Sequence, residues 1–157
     1  MKLAIALSVL LLPVPGTVAA RPHRLTLVIT VTEGEHSRDS NSSTTSITLK
    51  GGRIHYVKSY TGYRASRRPA VDTSVHVSHQ GLDHIRKLLV ENDLLRSRSA
   101  VSPTDQPGRY AEIDASITSG NKRSTLKLAG MREKAEKESL YTALRALINE
   151  IEETVNP

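Results

Sequence analysis

Apolar and polar residues alternate through the first half of the chain, and the alternation predicts strands. Leu25, Leu27, Ile29 and Val31 interleave with Thr26, Thr30 and Thr32, with Val28 as the one break. That pattern fits a half-buried strand with a β-branched outer face. Gly34 to Ser43 turns to Gly, Ser, Asn, Asp and His, a composition that predicts an exposed loop. Thr45, Ile47 and Leu49 begin a second strand, Gly51-Gly52 offers two positive-φ positions for a tight turn, and Ile54, Tyr56 and Val57 return. Tyr60 to Ala70 holds few groups able to enter a core and reads as a loop or ragged edge.

From Val71 to Leu95 the period changes from two to 3.6. Val71, Thr73, Val75 and Val77 alternate with Asp72, Ser74 and His76; Ser78 then offers a hydroxyl to the first turn of a helix whose Leu82, Ile85, Leu88 and Leu89 share one face. The chain leaves that helix at Asn92-Asp93, packs Leu94 and Leu95, and runs from Ser97 to Gly108 with two prolines and no period, which predicts a long surface loop. Ala111, Ile113, Ala115 and Ile117, the Gly120-Asn121 turn, and Leu126 with Leu128 predict a second hairpin. Leu140, Leu144, Leu147, Ile148, Ile151 and Val155 then mark a strong amphipathic helix, with Glu138, Arg145, Asn149, Glu152 and Glu153 on its solvated face. The expected fold is α+β: an antiparallel sheet of about six strands, in the order β-β-β-β-α-β-β-α, with two amphipathic helices packed on one face.

Residues 1–20 change this picture only by removing themselves from it. Lys2 precedes an apolar run from Leu3 to Leu12, then Pro13, Pro15 and Gly16, and small residues at Val18-Ala19-Ala20, the pattern of a secretory signal peptide. That ten-residue run is about half of the ~20 residues needed to cross a bilayer, so cleavage after Ala20 is expected rather than a stable membrane anchor. Residues 21–157 then form a single domain of an exported protein, periplasmic or secreted, from a bacterium. With no cysteine in the chain, packing alone must hold that domain together. With no Phe or Trp, Leu, Ile, Val and Ala must fill its core.

Charge is unevenly spread. Loss of Lys2 with the leader leaves 21 basic residues against 16 acidic ones, a net charge of +5. Ser40 to Val71 contains no acid, while Lys50, Arg53, Lys58, Arg64, Arg67 and Arg68 supply six positive charges. Within that segment Lys58, Tyr60, Tyr63, Arg64, Arg67 and Arg68 are the candidate binding residues. Guanidinium forks grip carboxylate or phosphate, and the two rings can stack on a partner. An acidic protein surface or an anionic envelope polymer is the expected partner; no nucleic-acid module is recognisable. The competing role for such residues is to solubilise a loop beside an edge strand.

Other chemistry finds less support. His76, His79 and His84 with Asp83 invite a metal reading, but His76 points off a strand and His84 lies about 100° around the helix from Asp83. His55 is a candidate to face His76 across adjacent strands. No serine sits in a nucleophile motif, and Glu112 with Asp114 occupies one face of a strand, as a solvated hairpin would. A non-enzymatic binding module without cofactor or metal is the expectation.

Ser46 to Ile151 resembles, in its order of elements, the emfourin-type inhibitors of metalloproteases. The resemblance is carried by the Val75-His76-Val77-Ser78 strand and cap, the helix from Leu82 to Leu95, the Tyr110 to Ile117 strand and the closing Leu144-Arg145-Ala146-Leu147 helix. It implies an exported protease inhibitor as the alternative function. That family's Gly-Gly-Phe-Ala segment is missing, because Gly51-Gly52 is followed by Arg53 and the chain has no Phe. No inhibitory residue is therefore transferred, and the resemblance bears on fold more than on activity.

Overall fold

The computed structural model describes residues 24–36, 40–62, 65, 68–104 and 106–156. The leader expected at residues 1–20 lies outside them, as do Tyr63, Arg64 and Arg67 of the basic segment. The fold is α+β. Strands β1 (Leu25–His36), β2 (Ser42–Lys50), β3 (Arg53–Thr61) and β4 (Val71–His76) lead to helix α1 (His79–Glu91). The short β5 (Ala100–Val101), β6 (Gly108–Ser119) and β7 (Lys122–Met131) follow, then a single turn α2 (Arg132–Ala135) and the long α3 (Ser139–Val155). The strands form one sheet in the order β4-β3-β2-β1-β6-β7-β5.

The alternation read from the sequence becomes the two faces of this sheet. Leu27, Ile29, Ile47, Leu49, Ile54, Ile113, Ile117, Leu126 and Leu128 are all but inaccessible on one face. They form a single core cluster with Ile85 and Leu89 of α1 and the buried side of α3. The opposite face carries Thr26, Thr30, Ser46, Thr48, Ser116 and Thr118, aligned across β2, β1 and β6. Val28 breaks the pattern in space as well, standing 46% exposed among them.

Local signals set the ends of the elements. Gly51 and Gly52 take φ of 59° and 74° between the paired Lys50 and Arg53, the double positive-φ turn that suits the twist of a two-residue hairpin. Ser78 Oγ accepts from the Gly81 amide at 3.0 Å, capping α1. All six apolar residues expected on the face of α3 are buried, joined by Tyr141 and Ala143.

Five expectations need correction. The sheet has seven strands, because Ala100 and Val101 pair in parallel with Leu128 and Ala129 inside the stretch read as loop. Two residues are too few to show a period, and the strand is held by its flanks: the Lys127 amide donates to Ser99 Oγ at 2.8 Å and the Ser102 amide to the Ala129 carbonyl at 2.7 Å. A third helix, α2, is a single turn. β1 and β2 extend into the polar stretch read as a loop from Gly34. Backbone pairing with β6 continues to His36, whose ring stacks on Tyr110 at 4.5 Å between centroids; the Tyr110 ring lies so close to Gly34 that a Cβ there would collide with it. β3 likewise runs to Thr61, so Lys58 and Tyr60 stand on a strand and not in a loop. A backbone ladder needs no apolar side chains, so hydropathy gave no sign of either extension. Finally, His55 faces Ser74 and not His76, which pairs with Arg53.

Leu147 is inaccessible at the centre of α3. Leu147→Ala is expected to cost about 2–5 kcal/mol in denaturant unfolding. Val90→Ala, at a position 71% exposed, is expected to stay within about 0.5 kcal/mol.

Candidate functional site

Alternation along β3 aims Ile54, Tyr56, Lys58 and Tyr60 at the helical side of the sheet, in a row that passes from the core to its margin. Ile54 is inaccessible and Tyr56 is 3% exposed. The Tyr56 hydroxyl donates to Glu152 Oε1 of α3 at 2.9 Å, and Lys58 Nζ stands 3.9 Å from the same oxygen. Burial, and then the hydrogen bond to Glu152 and its charge, push the Tyr56 phenol up to about 12. Lys58 is thus turned toward α3, beside a broad cleft of about 390 Å³ lined by Tyr56, Asn149, Glu152, Glu153 and Asn156.

Tyr60 belongs to a different group. The Arg68 guanidinium lies 5.5 Å from the centroid of its ring, a cation–π contact that holds the cation at the end of β3. Together they border a shallow cleft of about 140 Å³ with Glu33, Asn41, Ser42, Ser43 and Thr61. Ser42 Oγ and Thr61 Oγ1 are 2.6 Å apart across the β2–β3 ladder. Glu33 Oε1 lies 3.2 Å from Arg145 Nη2 of α3, an ion pair without the alignment of a hydrogen bond. That pairing offsets the one acidic side chain among the described residues that line the cleft, where Arg68 and the hydroxyls set the character.

Of the six residues singled out from sequence, Tyr60 and Arg68 come together and Lys58 faces an acidic neighbour; Tyr63, Arg64 and Arg67 lie outside the described residues. Lys50 and Arg53 are at the opposite end of the β2–β3 hairpin, so the acid-free segment spreads its charge over two ends of the sheet. The periodicity reading assigned Arg145 and Glu152 to solvent, and it passed over Glu33. The signals were present: Glu33 continues the inward series Leu25, Leu27, Ile29 and Val31, and Glu152 adjoins the buried Ile151.

The histidine group disperses. His76 Nε2 lies 3.0 Å from Arg53 Nη2, Asp83 pairs with Arg86 at 2.7 Å, and His84 Nδ1 lies 3.1 Å from Glu150 of α3. Among the described residues no three His, Asp or Glu side chains converge as a metal site would require. Asp114 lies on the polar sheet face, 3.9 Å from Lys127. No protein-family model matches this chain, and no curated protein matches it in sequence.

The Tyr56 shift has a defined pH signature. Its folded pKa lies above the ordinary phenol value of 10.0, so its contribution to stability is complete below pH 10 and is lost as pH rises toward 12. Tyrosinate absorbance of the folded protein is expected to show one component near 12 that Tyr56→Phe abolishes. The same substitution should flatten the fall in stability across that window, read by denaturant unfolding at each pH.

Proposed function

We propose that the protein is a non-catalytic binding domain, exported from a bacterial cell, that meets an acidic protein surface or an anionic envelope polymer through the margin between Lys58 and Arg68. The observation that carries this reading is the Arg68 guanidinium supported on the Tyr60 ring beside the hydroxyls of Ser42, Ser43 and Thr61. Such a set suits carboxylate or phosphate: a planar fork to pair with two oxygens, hydroxyls to donate to the remainder, and an aromatic face that limits the motion of the cation. Arg64 and Arg67 add charge within four residues of Arg68 along the chain. The leader-like pattern of residues 1–20 supports export. Among the described residues no helix is long and apolar enough to cross a membrane.

The test is retention on an anionic support such as heparin, followed by elution with salt. Replacing Arg64, Arg67 and Arg68 with Ser is expected to remove most of the retention while leaving folding stability within about 0.5 kcal/mol. Replacing Lys127, Lys134 and Lys137 removes the same charge elsewhere and should have the smaller effect. Equal losses from the two triple variants would reduce the binding to the general field of a basic protein. No loss from the arginine variant would remove this margin as the site. Should micromolar protein suppress a thermolysin-like peptidase, the inhibitor function implied by the emfourin resemblance would be favoured instead.

A further inference from the structure

β4 is the outermost strand on its side of the sheet, paired only with β3 among the described residues. Its backbone polarity can be assigned. The Val77 amide donates to the Gly52 carbonyl at 2.9 Å, and Ile54 pairs with Val75, Tyr56 with Thr73 and Lys58 with Val71. In an antiparallel ladder these alternate residues turn their backbone groups toward β3, so Asp72, Ser74 and His76 turn theirs to the open edge. Edge strands are ordinarily blunted by Lys, Pro or a bulge, or are kept very short. β4 runs for six residues without Lys or Pro, whereas the other edge of the sheet is the two-residue β5.

We propose that β4 pairs antiparallel with β4 of a second copy of this chain, centred on Ser74. In that register Ser74 lies opposite Ser74 of the second copy, and Asp72 lies opposite His76 twice over by symmetry. The three residues whose backbone groups face outward then form about six inter-chain hydrogen bonds. Charge selects this register. Sliding by one repeat sets Asp72 opposite Ser74 or Ser78, and sliding by two sets Asp72 opposite Asp72 or His76 opposite His76. Only the register centred on Ser74 joins acid to imidazole.

The hydrogen bonds within each copy leave the right atoms for that contact. A guanidinium only donates, so the 3.0 Å contact from Arg53 makes His76 Nε2 an acceptor and puts the imidazole proton on Nδ1. Asp72 accepts from His55 Nε2 at 2.9 Å through Oδ1, which leaves Oδ2 for His76 Nδ1–H of the second copy. The joint thus continues a polar row Arg53, His76, Asp72, His55 along the open sheet face. On the helical side Thr73 meets Val75 and Val71 meets Val77. Val71 and Val75 already pack against the core in one copy, and pairing extends that apolar layer across the joint. A strand from an unrelated protein would have no reason to carry this self-complementary order of acid and imidazole.

The first readout is mass by sedimentation or light scattering of the purified protein. It is expected to rise from one chain to two as concentration increases. Ser74→Pro removes an amide that β3 does not use, at an edge position where proline is tolerated, and is expected to stay monomeric with an almost unchanged melting temperature. Register is read by single cysteines, since the chain has none of its own. Ser74→Cys places two thiols about 5.5 Å apart between Cα atoms, within disulfide reach, whereas Asp72→Cys places them well beyond it. Oxidation should therefore link the first variant into dimers and leave the second unlinked. A mass of one chain at every concentration overturns the proposal, as does a dimer that survives Ser74→Pro or links equally through both cysteines. If Ser74→Pro fails to fold, the cysteine pair decides alone.

Discussion

One-sided burial of the sheet is the constraint on which the rest of the structure depends. The central inward positions of β1, β2, β3, β6 and β7 are mostly aliphatic, with Tyr56 and Tyr141 as the aromatic members of the core cluster. Such a surface must be covered, and α3 covers it with eight buried residues over its seventeen. Leu, Ile and Val each release about 1.5–3 kcal/mol on full burial, so the helix is bound by many small contributions and by no single anchor. Without disulfides, nothing else replaces that contact.

The placement of α3 decides what happens at the sheet margin. Once its apolar stripe is seated, Glu152 falls over Tyr56 and Lys58, and Arg145 falls over Glu33. Residues that a helical wheel assigns to water therefore become partners of inward-facing strand residues. Where the aliphatic supply ends, the inward row of β3 continues as Lys58 and Tyr60, and the gap beyond the helix becomes a cleft instead of core. Arg68 borders that cleft with its guanidinium 5.5 Å from the centroid of the Tyr60 ring. The cleft is thus a by-product of a helix that covers the sheet incompletely.

The exposed face follows a different logic. Threonine and serine aligned on β1, β2 and β6 suit a pleated, half-solvated surface without adding apolar area. Arg53, His76, Asp72 and His55 are in contact across β3 and β4, and Asp114 of β6 stands near Lys127 of β7. Sheet edges carry unpaired backbone groups whatever their side chains are, so the chemistry of β4, the longer of the two sheet edges among the described residues, matters more than its hydropathy.

Much of the architecture was legible because the signals were local. Leu25 to Val31, Ala111 to Ile117 and the stripe of α3 carry their period within one element, and Gly51-Gly52 and Ser78 act on neighbours a few residues away. The fold class, the two hairpins, both long helices and most of the core follow from these. β5, the polar extensions of β1, β2 and β3, and the order of strands were not legible. Each depends on backbone hydrogen bonds to a distant segment, which leave no trace in side-chain hydropathy. The candidate site divides in the same way. The acid-free basic segment and its two tyrosines stood out in the sequence, but the separation of Lys58 from Arg68 depends on Glu152 and Glu33, brought near by packing from 94 residues further along the chain and from 25 before Lys58, respectively. Sequence by itself determined which side chains must be buried, since that depends on their own affinity for water. Tertiary structure alone decided which charges meet, because an ion pair depends on distance in space, and that distance exists only after α3 has docked.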